Sequence, residues 1–294
     1  MQSTVAERYR ARFRQVLAYI DAHLSEELTV ERLCSVATLS KYHFHRQFTA
    51  LFGIGVYRYI QLTRLKRAAH QLAFRERRQI IDIALASGYE GPEAFTRAFR
   101  KSTGQSPSEF RKQPQWNSWY AAYQHLSKLR MNHMKPENQC EQVRIVHFAQ
   151  TKVAVFEHRG DPKLIGNSIR QFIEWRRQNN LPPRLSETFN IAYDDPDETH
   201  ADDYRMDLCA ATDREIAVNP FGVVGKIIPG GKCAVLRHIG SDETLGASAR
   251  YLYSEWLPQS AQEVRDFPLY FQRISFFPDV PEHEAVVDVF LPLR

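Results

Sequence analysis

Arg46 and Arg97 stand 51 residues apart, each inside a group of polar side chains that shares its spacing with the other. The first group is Tyr42, His45, Arg46 and Thr49; the second is Glu93, Thr96, Arg97 and Arg100. Offsets of three, four and seven place each group on one face of a helix. The chemistry available to such faces is the reading of base edges. Arginine donates two parallel hydrogen bonds to guanine O6 and N7, and glutamate accepts from cytosine N4. The alternative for Arg46 and Arg97 is a salt bridge along the helix surface.

The elements that must hold these faces are written twice. Phe44, Arg46, Phe48, Gly53 and Tyr59 recur as Phe95, Arg97, Phe99, Gly104 and Phe110, always at an offset of 51. Phe44, Phe48, Leu51 and Phe52 form an apolar stripe opposite the first polar group, and Phe95 and Phe99 anchor the second. Before each stripe lies a shorter apolar face: Val30, Leu33, Cys34 and Ala37, then Ile80, Ile83, Ala84 and Ser87. Two short helices joined by a tight turn are therefore expected in each copy, the layout of a helix-turn-helix. Between them Val56 to Phe74 reads as one uninterrupted helix, a rod of roughly 28 Å. Two reading helices at its ends could enter successive major-groove segments about 34 Å apart, so a monomer could bind DNA. Ser106, Pro107 and Glu109 spell a capping box with proline at the first helical position.

IIDIALASGYE followed by FTRAFRKSTGQSPSEFR resembles the signature of the AraC/XylS transcription regulators, over about 100 residues from Arg8 to Gln113. The resemblance implies two helix-turn-helix units on a long connecting helix. It carries base or backbone contacts onto Tyr42, His45, Arg46, Glu93, Thr96 and Arg97. Relatives often have Trp and Gln where this chain has Tyr42 and His45, so the first half-site need not be theirs. It further implies double-stranded promoter DNA as partner, contact with RNA polymerase and activation as the sign of regulation.

Charge divides the chain in the same place. Residues 1–113 carry 19 Lys and Arg against 10 Asp and Glu, a net of +9, and residues 114–294 carry 20 against 24, a net of −4. A basic half calls for a polyanion. The four cysteines, Cys34, Cys140, Cys209 and Cys233, have neither paired nor metal-ligand spacing, so neither a disulfide framework nor a metal site is expected. No signal-peptide pattern and no 18-residue apolar run occurs, which predicts a cytoplasmic protein with no membrane partner. No cofactor motif is present, and no G-x-S-x-G elbow, Cys/His arrangement or phosphate loop marks an enzyme.

After a connector at 114–140, whose Trp116, Trp119, Tyr120 and Tyr123 are expected to pack the two domains together, alternation replaces helical periodicity. VRIVHF, KVAVFEH, FNIAY, YRMDLCAA, CAVLRHI, YFQRISFF and AVVDVFLPL read as strands, with helices near Leu164–Gln178 and Thr244–Trp256. VAVFEHRGDPKLIGNSIR aligns with CAVLRHIGSDETLGASAR at an offset of 80, which suggests two strand-helix-strand-strand halves. The expected fold is an all-α DNA-binding domain (1–113) followed by an α+β domain (141–294).

With YDDP at Tyr193, YRMD at Tyr204, the stretch Gly230–Gly240 and the closing VVDVFLPL, the second half resembles the GyrI-like effector-binding domain. That resemblance implies small, often cationic or amphipathic molecules held by aromatic side chains and an acidic residue; for this chain a small aromatic or amphipathic effector is expected. Tyr193, Trp256, Tyr270 and Phe271 are the candidates to line the site. Where the family usually has a glutamate, PLYFQRISFF offers Phe271 and Gln272, so a neutral aromatic ligand fits at least as well as a cation. The reading is a one-component regulator. A small-molecule hydrolase, or a C-terminal half that serves only protein interaction, remain the alternatives.

Overall fold

The computed structural model describes residues 5–133 and 143–294, and the chain divides into two compact units. The first is helical: α1 (Val5–Ala22), α2 (Val30–Ala37), α3 (Lys41–Phe52), α4 (Val56–Phe74), α5 (Ile80–Ala86), α6 (Pro92–Thr103), α7 (Pro107–Lys112) and α8 (Trp116–His133). Its caps follow from local chemistry. The Thr29 hydroxyl accepts from the Arg32 amide to start α2. Both α3 and α6 stop on a glycine in the left-handed region, Gly53 at φ 65° and Gly104 at φ 79°, where a Cβ would be strained. The Ser106–Glu109 capping box forms, with Pro107 at the first position of α7.

Helix α4 organises this unit because twelve of its residues are buried. Phe48 and Tyr59 meet edge to face at 5.6 Å on one side of the repeat. On the other, Phe95, Phe99 and Phe110 form a continuous aromatic run with centroid spacings of 5.6 and 5.4 Å. The aromatics expected to bridge domains do something different. Trp116, Trp119 and Tyr123 are buried in the core of the helical unit itself, and Trp116 stacks on Phe74 at 5.7 Å. The connector thus begins as helix α8, whose apolar face closes the core. Segment 277–283 also belongs to this unit. Its Glu282 pairs with Lys66 of α4 at 2.8 Å, both side chains nearly inaccessible, so the buried ammonium is compensated.

The second unit is a curled antiparallel sheet with helices on one face. Its elements are β1 (Arg144–Phe148), β2 (Thr151–Arg159), α9 (Ile165–Gln178), β3 (Thr188–Ala192), β4 (Arg205–Ala211), β5 (Val224–Ile228), β6 (Gly231–Ile239), α10 (Leu245–Tyr251), β7 (Tyr270–Arg273) and β8 (Val286–Pro292). The eight strands run in the order β1-β6-β8-β7-β3-β4-β2-β5. Registers repeat from one half to the other. Val155 faces Val224 and Cys209, as Val235 faces Arg144 and Phe290. Strand β5 was not expected from the sequence, and the strand foreseen at YFQRISFF ends at Arg273.

Period two divides the side chains of the sheet between its faces. One face is covered by α9 and α10. The other gathers Val153, Val155, Phe189, Ile191, Cys209, Tyr270 and Phe290, roofed in part by Phe148, whose ring meets Tyr270 at 5.2 Å and Phe290 at 5.4 Å. Among the described residues no helix is long and apolar enough to cross a membrane. Cys34, Cys209 and Cys233 are buried free thiols; Cys140 lies outside the described residues.

Candidate functional site

In the helical unit, Phe44, Phe48 and Phe52 bury one side of α3 and leave the other to solvent. Tyr42 is 87% exposed, Arg46 and Thr49 are exposed, and His45 is half-buried beside Phe44. On α6 the anchors are Phe95 and Phe99; Glu93, Arg97 and Arg100 are exposed and Thr96 is half-buried. Each group therefore lies on one face, as the spacing requires. Among the described residues Arg46 and Arg97 have no ion-pair partner, so the salt-bridge alternative finds no acceptor here. Arg100 does have one, Glu109 at 3.4 Å. Lys41 at the start of α3 is held by Glu31 at 3.0 Å, a hydrogen bond that lowers the pKa of the glutamate and raises that of the lysine.

The four aromatics expected to meet a ligand do not share a face. Phe271 is buried and Trp256 half-buried in the core beneath α10, Trp256 at the end of the π-helical turn Leu252–Trp256 that continues this helix. Tyr270 and Tyr193 lie on the opposite face. Tyr270 is fully buried, stacked on Phe290 at 4.9 Å, with its hydroxyl 3.5 Å from Cys233 Sγ. Tyr193 alone of the four is half-open on that face.

Around Tyr193 the structure assembles a charged cluster that the sequence did not single out. The Tyr193 hydroxyl donates to Asp207 Oδ2 at 2.9 Å, and Lys226 Nζ of β5 donates to the same oxygen at 2.7 Å. Lys226 also reaches Glu157 at 2.5 Å. Arg159, Arg205 and Lys226 all lie against the Tyr193 ring, 5.7, 5.4 and 6.0 Å from its centroid. Asp194 holds Arg205 through two bonds of 2.9 Å. Partial burial alone would lower the Lys226 pKa, but hydrogen bonds to Asp207 and Glu157 hold it above the usual lysine range. Burial and the bond to Asp207 raise the Tyr193 phenol, and the bond to Lys226 lowers Glu157. At neutral pH, then, the phenol is protonated and Glu157 and Lys226 are charged.

Beneath the helices a second pattern recurs. His158 Nδ1 and Ser168 Oγ are 2.9 Å apart, and so are His238 Nδ1 and Ser248 Oγ. Burial lowers both histidines below their ordinary pKa. A serine–histidine contact could suggest a nucleophile and base. His238 and Ser248 are both buried, His158 is buried with Ser168 half-buried, and each pair fastens a helix to its strand at the seam between sheet and helix. Among the described residues no group of three or more His, Cys, Asp or Glu side chains could hold a metal ion.

The GyrI-like small-molecule binding domain matches residues 141–294, more than half of the chain. The chain belongs to the GyrI-like family. A helix-turn-helix domain matches residues 33–113, so an AraC-type DNA-binding domain precedes the GyrI-like one. The GyrI-like half is 34% identical over 152 residues to the probable transcriptional regulator YgiV of Escherichia coli K12, covering 51% of this chain and 95% of that protein. The helical half is 40% identical over 103 residues to the HTH-type transcriptional regulator YbfP of Bacillus subtilis 168, covering 35% of each. It is 33% identical over 106 residues to the right origin-binding protein of E. coli K12, covering 36% of each. The chain thus spans little more than a third of the last two relatives. As a DNA-binding regulator with a GyrI-like domain, it sets an exposed basic face in one unit and the Tyr193 cluster in the other.

Proposed function

We propose that this GyrI-like protein is a transcription activator that reads two major-groove segments as a monomer. The α2–α3 and α5–α6 pairs act as two helix-turn-helix units, with α3 and α6 in the grooves. Tyr42, His45, Arg46 and Thr49 face one half-site; Glu93, Thr96, Arg97 and Arg100 face the other. The GyrI-like domain binds a small aromatic or amphipathic effector, whose presence modulates promoter binding or recruitment of RNA polymerase. No step of covalent chemistry is assigned to it. The observation that carries this reading is the pair Arg46 and Arg97, exposed and without an ion-pair partner among the described residues, at matching positions of α3 and α6. Regulators among the relatives support it, and Tyr193 is the aromatic best placed to touch an effector.

The test begins with an operator selected from a random duplex pool by the full chain. Nuclease footprinting should then show protection of about two helical turns, ~20 base pairs. Protection confined to a single turn would overturn the two-unit reading.

A further inference from the structure

Asp207 is inaccessible to solvent, yet only one of its oxygens is used. Oδ2 accepts from Tyr193 and Lys226. Oδ1 is buried without a hydrogen bond; the nearest cation, Arg159 Nη1, stays 3.6 Å away. A buried acceptor left open costs free energy that a bonded one does not. The other half of the sheet shows how the same position is closed. Asp288 stands 81 residues after Asp207 and faces Arg237 across the strand pair, as Asp207 faces Glu157. Arg237 fills both oxygens of Asp288, at 2.7 and 2.8 Å. With glutamate at 157 that fork is missing, and Lys226 arrives instead from β5 with one ammonium for two carboxylates.

The surroundings limit what could complete Asp207. Three cations, Arg159, Arg205 and Lys226, and three carboxylates, Glu157, Asp194 and Asp207, balance one another. A cationic ligand would enter against three positive groups that already crowd the Tyr193 ring, and an anionic one would meet the carboxylates. The mouth of the cluster is open: Glu157, Arg159 and Lys226 keep 38, 43 and 30% of their side-chain surface. Arg159 lies over Oδ1 as a long half-exposed side chain that can swing aside.

We infer that this cluster is the specificity element of the effector site, and that it selects an uncharged aromatic molecule bearing a hydrogen-bond donor, such as a phenol, whose donor bonds Asp207 Oδ1. This rests on the proposal that the GyrI-like domain binds an effector. Lys226 sets the charge preference by neutralising Asp207 in advance. Tyr193 and the guanidinium of Arg159 supply the flat and cationic surfaces against which the ring packs.

The test uses the full chain and four compounds of one shape: 2-naphthol, 2-methoxynaphthalene, 2-naphthoate and 2-naphthyltrimethylammonium. Binding is measured by calorimetry, with operator affinity followed in parallel. Naphthol should bind at least about tenfold more tightly than its methyl ether, because a donor to a buried carboxylate is gained, and more tightly than either ion. Lys226→Met should reverse the preference towards the ammonium compound, since Asp207 then lacks its counter-charge. Lys226→Arg should keep the wild-type order. Arg159→Ala, a change at a half-exposed side chain, should weaken both neutral compounds by removing a surface the ring packs on while naphthol stays ahead of its ether; an ether that equals naphthol in this variant overturns the inference, which keeps a second test if Lys226→Met does not fold.

Equal affinity for naphthol and its ether, or tightest binding of either ion by the wild type, overturns the inference. So does failure of all four to bind. Selective naphthol binding that leaves operator affinity and transcription unchanged would support the inference and count against effector control instead. A cation that binds best and shifts operator affinity would do the reverse.

Discussion

Replacing Arg97 with alanine removes an exposed side chain that has no ion-pair partner among the described residues, so the free chain should melt as the wild type does. Its cost appears only on DNA. A bidentate contact to guanine contributes about 1 to 3 kcal/mol, which is roughly a 5- to 150-fold loss of affinity for the selected operator. Arg46→Ala should cost a similar amount at the other half-site. The two sites are held apart by α4, a rod of roughly 28 Å, so the losses should add in the double variant to about 2 to 6 kcal/mol. Arg100 supplies an internal contrast. It is tied to Glu109, whose carboxylate also accepts from the Ser106 amide at 2.7 Å. Its guanidinium must leave that partner to reach DNA, although an exposed pair of this kind is worth less than about 1 kcal/mol. Arg100→Ala should therefore cost less than Arg97→Ala. Fluorescence anisotropy at several salt concentrations separates base reading from phosphate contact. Loss of a base contact relaxes specificity at one position and leaves the salt slope alone, whereas loss of a phosphate contact lowers the slope by about 1. Unchanged affinity in both single variants would refute the assignment of these helix faces to DNA.

Phe48→Ala, at a fully buried position in contact with Phe13, Phe44, Phe52 and Tyr59, should destabilise the helical unit by about 3 to 5 kcal/mol in denaturant melts. Ser106→Ala should cost about 1 kcal/mol by removing the cap of α7, and a melt of the isolated change measures it. His158 and His238 are held below their ordinary pKa by burial, so the unfolded chain binds protons that the folded chain refuses. Stability of the GyrI-like unit should be flat above about pH 6.5. It should fall as the pH drops below that value, by up to about 1.4 kcal/mol per pH unit for each histidine. Melts at pH 7.5 and 5.5 should show this, with the fall reduced in His238→Gln.

What could be read directly from the residues is what period and capping chemistry control. Apolar spacing gave α4 its limits at Val56 and Phe74, because its buried positions run without a break and Gly55 and Arg75 flank it. Ser106, Pro107 and Glu109 announced α7 by their own hydrogen bonds. Tyr270 and Phe271 are both expected at one ligand site from the sequence, although neighbours on a strand point to opposite faces; which of those faces the helices cover is a tertiary outcome that nothing local decides. The aromatics Trp116 and Trp119 illustrate the same limit, since their composition suits a domain joint as well as the core they occupy. Strand β5 was missed because Val224–Ile228 has a glycine at its second position and shares no residue identity with its counterpart β1, although the offset of 80 between Val224 and Arg144 leads straight to it. With that strand went Lys226, and with Lys226 the reason why an inaccessible carboxylate at 207 is tolerated.

Helix α4, buried on so many of its sides, has a bearing on promoters as much as on protein. A connector with no slack behaves as a ruler. If α3 and α6 each read a segment, an extra base pair between those segments displaces the second by about 3.4 Å and turns it by about a tenth of a revolution, and a packed helix has no means of following. Sites served by this regulator should therefore share one invariant gap, however much their letters differ, and the gap can be searched for before any of those letters is known.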